Sequence, residues 1–282
     1  MILYIQPIFA ADDILFKKNV DSIKSFGKYI QKYPFDVKCI FGGWAYNDEM
    51  WSNISEVIKK EIPNEMLIEV VRYDKNYGKA YIVNGLYEKV SSLEFNFFLT
   101  ADSDIVFDSE VAFLFERLED AAMALASENG NVKPFGYIGL QQTGHCTHAS
   151  SLFENETYIK NRFGDKERIV YPSGKGGIAG GCLFIDRKLW EILGGYKVMG
   201  VYAGEDGSLL YKAITKGYAC YVAPDISIIH PHSPNQNRYN IWKSQSVSVN
   251  LEGVEGEEKL RLLVQKSTLM WSSASYESQG KN

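Results

Sequence analysis

An α/β fold built on a largely parallel central sheet, with helices on both faces, is the architecture this sequence predicts. Three observations carry it. Up to residue 100, short apolar runs alternate with amphipathic stretches, the pattern of strands joined by crossover helices. The apolar runs are rich in Ile, Val, Phe and Tyr, the residues that fit a pleated, buried surface. At 282 residues and 45% hydrophobic content, the chain can bury a sizeable core as one large domain or two small ones.

The elements follow in order. Ile2 to Ile5 reads as the first strand, and Asp12-Asp13 as the cap of a helix running to about Tyr33. Val37 to Phe41 is the second strand, followed by a helix capped at Asn47-Asp48 and running through Lys60. Leu67 to Tyr73 is the third strand, Gly78 to Val90 a helix, and Phe95 to Thr100 the fourth strand. The second half is less regular. Residues 129–180 hold many Gly, Asn, Ser and His residues, which suits strands joined by long loops over a binding site. Leu189 to Ile192 reads as helical and closes at Gly194-Gly195. Glu205 to Lys216 is a second helix stopped by Gly217, and Cys220 to Val222 a strand. Glu255 to Trp271 has the pattern of a charged amphipathic helix, and the polar end, Ser272 to Asn282, is expected to fray.

Composition narrows the function. The start, Met1-Ile2-Leu3-Tyr4-Ile5-Gln6-Pro7, has no basic leader and no apolar run long enough to span a bilayer, so no transmembrane segment is expected. Four cysteines, Cys39, Cys146, Cys182 and Cys220, lie far apart without a C-x-x-C pair. Neither a zinc ribbon nor a disulfide framework is suggested, and reduced thiols in the cytoplasm fit best. A net charge of −5 gives no general pull toward phosphate backbones, so nucleic acid is not favoured as a partner.

The chemistry gathers first at Asp102-Ser103-Asp104. The buried run Phe97-Phe98-Leu99-Thr100-Ala101 leads straight into it. In open α/β sheets, ligands bind beyond the carboxyl ends of strands, so these carboxylates are expected to face a crevice. In an extended segment, residues two apart point to the same side, so Asp102 and Asp104 can approach one ion together. Hard oxygen ligands select Mg²⁺ or Mn²⁺, and an ion so held can also bind the phosphates of a nucleotide diphosphate. By itself the tripeptide is equally at home as an ordinary turn.

Two further runs set the context. Asn76-Tyr77-Gly78-Lys79-Ala80 precedes a helix containing Asn84-Gly85. Gly78 permits close backbone approach there, while Lys79 or the helix N-terminus can meet an anionic diphosphate. Later come Gly176-Gly177-Ile178-Ala179-Gly180-Gly181-Cys182, then Trp190, Gly194-Gly195-Tyr196 and Gly204-Glu205-Asp206-Gly207. Over residues 1–235, this order of motifs resembles the inverting family 2 glycosyltransferases and their GT-A nucleotide-binding fold, a Rossmann-like sheet with a smaller acceptor-side region.

That resemblance implies roles. Pro7, Ile8, Asn76, Gly78, Lys79, Asp102, Ser103, Gly180 and Gly181 would bind the donor; apart from the resemblance, Trp44 or Tyr46 could stack on the donor's base or equally pack on the core. Asp102 and Asp104 would hold Mn²⁺ or Mg²⁺, completed by a histidine after a late strand, for which His230 and His232 are equally eligible. Asp206 would act as general base toward the acceptor hydroxyl, and Glu205 would hold donor or acceptor hydroxyls. Both acids also suit a helix N-terminus through its dipole. His145 and His148 read as ordinary loop histidines, and Arg238, Tyr239 and Lys243 as a weak candidate lid over the donor. Two early positions depart from the family pattern. Gln6-Pro7-Ile8-Phe9-Ala10 follows the first strand, and Phe41-Gly42-Gly43-Trp44-Ala45-Tyr46-Asn47-Asp48 stands where an acidic pair usually holds the nucleoside, so base recognition stays open.

The expected organisation is a nucleotide-sugar-binding half over residues 1–105, an acceptor half over 106–235 and a helical extension over 236–282. The expected activity is metal-dependent transfer of a sugar from a nucleotide-diphosphate sugar, a UDP-sugar by the family's habit, to a hydroxyl. A glycan, a small molecule, a protein side chain and a modified DNA base are all eligible acceptors. A retaining transferase, a nucleotidyltransferase and a non-catalytic sugar-binding protein are the competing readings. The second of these lacks its usual Gly-rich basic loop, since Ile8 to Asp13 holds neither Gly nor a base.

Overall fold

The computed structural model describes residues 1–127, 133–144, 153–172, 178–198 and 205–231, with 258, 261 and 262. In chain order these form β1 (Ile2–Ala10), α1 (Asp13–Lys32), β2 (Val37–Ala45), α2 (Asp48–Glu61), β3 (Leu67–Arg72), α3 (Lys79–Val90) and β4 (Phe97–Ala101). There follow α4 (Leu114–Ser127), β5 (Phe135–Gly144), β6 (Phe153–Lys160), β7 (Lys166–Pro172), β8 (Cys182–Asp186), α5 (Arg187–Leu193), α6 (Glu205–Thr215) and β9 (Ala219–His230).

Local chemistry sets the helix starts as expected. Asp12 accepts from the Leu15 N–H at 2.8 Å, and Asn47 from the Met50 N–H at 2.8 Å, each satisfying an orphan donor of the first turn. The strands run longer than the apolar runs suggest. β1 continues to Ala10, with all nine of its residues buried. Pro7 is tolerated there because the β1–β4 pairing ends at Ile5↔Thr100, before the missing N–H is reached. No element was expected over residues 106–128, yet α4 forms there. Its buried Leu114, Phe115, Leu118, Ala121, Ala122 and Leu125 recur at helical spacing.

All nine strands join one sheet in the order β3-β2-β1-β4-β8-β5-β9-β7-β6. The first four are parallel, as expected. The parallel run breaks at β8, which lies antiparallel between β4 and β5. The chain enters β8 beside the carboxyl end of β4, at Ala101↔Cys182, and can only run back down. β9 is parallel to β5, while β7 is antiparallel to β9 and to β6. β1, β4, β5 and β9 therefore all end on one edge of the sheet.

The alternation of side chains splits the core into two layers. On one face, Ile2, Tyr4, Phe97, Leu99 and Phe184 pack with Phe26 of α1, Ile54 of α2 and Phe115 of α4. On the other, Leu3, Ile5, Phe98 and Ile185 pack with Leu86 of α3, Trp190 of α5 and Leu209 of α6. Helices thus cover both faces. Each fully buried Phe, Leu or Ile contributes roughly 1.5–3 kcal/mol relative to exposure. Cys39, Cys182 and Cys220 are buried free thiols, and Cys146 lies outside the described residues. No helix among the described residues is long and apolar enough to cross a membrane. The expected helix over 255–271 and most of the 236–282 extension lie outside the described residues.

Candidate active site

The edge where β1, β4, β5 and β9 end collects the acids. Asp102 follows β4, and its N–H donates to the Gly181 carbonyl at 2.7 Å, joining the acidic turn to the turn before β8. Val106 and Ile229 exchange backbone bonds of 2.8 and 2.9 Å, tying the segment after the acidic turn to the end of β9. This bridge delivers His230. Its Nε2 lies 3.3 Å from Asp104 Oδ1, and one ligand atom each from Asp102, Asp104 and His230 falls within 4.8 Å of the others. Hydrogen bonds from α1 and β1 buttress the same turn: Gln6 Nε2 reaches the Asp102 carbonyl at 3.5 Å, and Ser25 Oγ accepts from the Phe107 N–H at 3.0 Å.

These residues fit a divalent ion on two grounds. Asp102 Oδ1 is buried without an aligned hydrogen bond, although the Lys79 ammonium approaches it at 2.8 Å. An oxygen in that state has a free lone pair for a cation. The second ground is the tautomer of His230. Gln142 Nε2 donates to the Ala179 carbonyl at 3.2 Å, so its Oε1 is the atom 3.1 Å from His230 Nδ1. Nδ1 must then donate, and Nε2 faces Asp104 either protonated or as a ligand.

A second cluster adjoins the first. Lys79, at the start of α3, donates to the Gly180 carbonyl at 2.9 Å and to Asp206 Oδ1 at 3.2 Å. Tyr196 lies under the ammonium, its ring centroid 5.7 Å away. The glycines are needed for space. A Cβ on Gly180 would stand 1.7 Å from Asp206 Cγ, and one on Gly181 would stand 2.8 Å from Gln142 Oε1. Asn84 fixes the Gly194-Gly195-Tyr196 turn by accepting from the Tyr196 N–H at 3.0 Å and donating to its carbonyl at 2.9 Å.

Electrostatics separates the two acids of the turn. Burial, with Asp206 and Asp104 nearby, raises the Asp102 pKa despite Lys79. For Asp104, burial pulls upward but is outweighed by His230 and Lys18, and the net shift is down. His230 moves up, since Asp104 outweighs the burial that opposes its charge. Lys79 is also held charged. Burial works against it, and Asp102 and Asp206 overcome burial. Burial, assisted by Asp206, raises Glu205.

The remaining expected residues divide by what they face. Asn76 is buried, and its Oδ1 accepts from the Gly78 N–H at 3.0 Å, shaping the turn in which Gly78 has φ +82°. Ser103 is half-buried between the two acids. Trp44 stacks on Phe9 at 6.0 Å, whereas Tyr46 is 63% exposed. The side chains of Pro7 and Ile8 are buried, Ile8 in the core, so only their backbone could meet a donor. His232 lies outside the described residues, as do Gly176, Gly177, Gly204, His145, His148, Arg238, Tyr239 and Lys243. Of the two eligible histidines, the described structure brings His230 to the acids. Two residues not expected also arrive: Gln142 behind His230, and Lys18 of α1, whose ammonium is 3.3 Å from Asp104 Oδ2.

No protein-family model and no curated protein matches this chain. Solved structures do. The mannosyltransferase PcManGT from Pyrobaculum calidifontis, in complex with GDP-Man and Mn²⁺, aligns over 100% of this chain and 75% of its own, at 11% identity and a TM-score of 0.54. TarS from S. aureus aligns over 97% of this chain and 72% of its own, at 14% identity and a TM-score of 0.54. The chain has the GT-A fold. GalNAc-T7, with UDP, GalNAc and Mn²⁺, gives a TM-score of 0.57 at 12% identity over 97% of this chain, which spans 50% of the GalNAc-T7 chain. Identities this low establish a GT-A architecture alone; the chemistry rests on the residues at its sheet edge.

Proposed function

We propose that this chain is a metal-dependent glycosyltransferase that moves a sugar from a nucleotide-diphosphate sugar to a hydroxyl acceptor, with inversion. The convergence of Asp102, Asp104 and His230 within 4.8 Å, beside Asp206, is the observation that supports it. Asp102 and Asp104 offer hard oxygen donors for Mn²⁺ or Mg²⁺, and His230 offers Nε2. Such an ion supplies Lewis-acid stabilisation of the departing diphosphate.

Asp206 is assigned the base role because of its exposure. Its side chain is 31% open, while Glu205 is buried. Lys79 takes Asp206 Oδ1, leaving Oδ2 for the acceptor proton. The acceptor oxygen forms its bond to the anomeric carbon as the bond from that carbon to the diphosphate oxygen breaks; the proton passes to Asp206 and the electron pair leaves with the diphosphate. Glu205 then suits a hydroxyl-holding role. PcManGT with GDP-Man and GalNAc-T7 with UDP, both holding Mn²⁺, support the donor class and the ion without choosing a base. A UDP-sugar is the proposed donor on the family resemblance.

The test is to incubate the protein with UDP-, GDP- and CDP-sugars, Mn²⁺ and a panel of hydroxyl acceptors, following nucleotide release and product anomer by NMR. Mn²⁺-dependent release with an inverted anomer is expected. A retained anomer would overturn the single displacement, and no release from any donor would overturn transferase activity.

A further inference from the structure

We propose that Lys18 is a binding residue for the donor's diphosphate, a role that rests on the donor-site reading above. Lys18 stands on the second turn of α1, which begins at the same sheet edge as the acids. Helical side chains lean toward the helix N-terminus, so this one is directed back toward that edge. Its ammonium meets Asp104 Oδ2 at 3.3 Å, and the side chain is 18% exposed, held against the acidic turn rather than out in solvent.

Charge balance gives the ammonium its task. A divalent ion held by Asp102 and Asp104 is offset by their two carboxylates, which leaves the anionic diphosphate in need of further positive charge. Among the described residues, the basic side chains beside the acids are Lys18, Lys79 and His230. Lys79 is committed: it is buried, bonded to Gly180 and Asp206, and in contact with Asp102. His230 spends Nδ1 on Gln142 and would give Nε2 to the ion. Lys18 is different. An ammonium carries three donors, and Asp104 Oδ2 is the one acceptor it meets among the described residues. It can keep that contact and give a second proton to a phosphate oxygen, bridging the ion's own ligand to the donor.

The competing role is purely local, with Lys18 neutralising Asp104 and nothing more. Calorimetric titration separates the two, using Mn²⁺ alone, UDP or GDP with Mn²⁺, and pyrophosphate with Mn²⁺ as a base-free probe. For Lys18→Met, affinity for nucleotide and for pyrophosphate should fall roughly tenfold or more, the scale of one charge-assisted hydrogen bond. Affinity for Mn²⁺ alone should hold or rise, because a competing cation has gone. Lys18→Arg should recover most of the loss, which guards against a folding artefact. Unchanged nucleotide affinity in Lys18→Met overturns the proposal, as does a loss of Mn²⁺ affinity equal to the loss of nucleotide affinity. Wild-type protein that binds no nucleotide overturns the donor-site reading itself, a failure visible before any variant is made.

Discussion

Asp102 and Asp104 are separated by one residue, and their surroundings push them in opposite directions. Asp102 faces Lys79 of α3, Gly180 and Asp206, an inner pocket where burial raises its pKa. Asp104 faces Lys18 of α1 and His230 of β9, an outer pocket whose hydrogen bonds and charges lower its pKa against the effect of burial. In the inner pocket, Gly180 and Gly181 leave no room for a side chain. The outer pocket is built from charged and polar side chains, Lys18 and His230 with Gln142 behind it. Under the proposed function, one acidic turn would serve two tasks, with Asp102 and Asp104 holding an ion together while Asp102 also faces the base across Lys79 and Asp104 faces Lys18.

The sharpest way to break this division is Asp206→Asn. Turnover should fall by about 10²–10⁴, the range for losing a general base, while calorimetry finds nucleotide and Mn²⁺ affinity intact. Parallel loss of nucleotide binding would place Asp206 in the outer pocket's work. Lys79→Met comes next, and strikes the inner pocket's stability. Removing the ammonium leaves two carboxylates facing each other, and urea unfolding should show a loss near the lower end of roughly 3–5 kcal/mol, since Asp102 and Asp206 are still 29% and 31% exposed. Lys18→Met should cost less in the same measurement, about 1–3 kcal/mol, since the pair is only 18% and 21% exposed but Asp104 keeps its contact with His230.

Gly180→Ala tests the packing. The added Cβ would fall 1.7 Å from Asp206 Cγ, so the base must move, and turnover should drop on the order of 10²-fold with the fold kept. A further effect is expected behind His230, the proposed metal ligand. Gln142→Leu removes the acceptor that orients His230, and Mn²⁺ affinity by calorimetry should fall about 10–100-fold with no change in unfolding midpoint. An undiminished affinity would mean that His230 needs no such support.

The inner pocket was the more legible of the two in sequence. Asp102, Lys79, Gly180, Gly181, Glu205 and Asp206 sit in compact runs at strand ends and helix starts, where local chemistry marks them. The outer pocket depends on sheet order. Gln142 lies near the end of β5 and Lys18 within α1, each in an unremarkable run; Gln142 meets His230 because β5 lies beside β9, and Lys18 meets Asp104 because α1 starts at the same sheet edge as the acidic turn. His230 could be proposed from its place after an apolar run; bringing it to Asp104 took the Val106–Ile229 bridge. The parallel half of the fold was readable from alternation, but the reversal at β8 was not, because a short buried strand looks the same in either direction. For α4 the helical spacing was present in the sequence and would have identified it.

The most direct test of a metal-dependent donor site is calorimetric titration of UDP, GDP and CDP, with and without Mn²⁺, into the wild-type protein and the Asp102→Ala/Asp104→Ala double variant. At least one nucleotide should bind the wild type only with Mn²⁺, and the double variant should lose this binding. Nucleotide binding that ignores Mn²⁺, or that survives in the double variant, would contradict such a site.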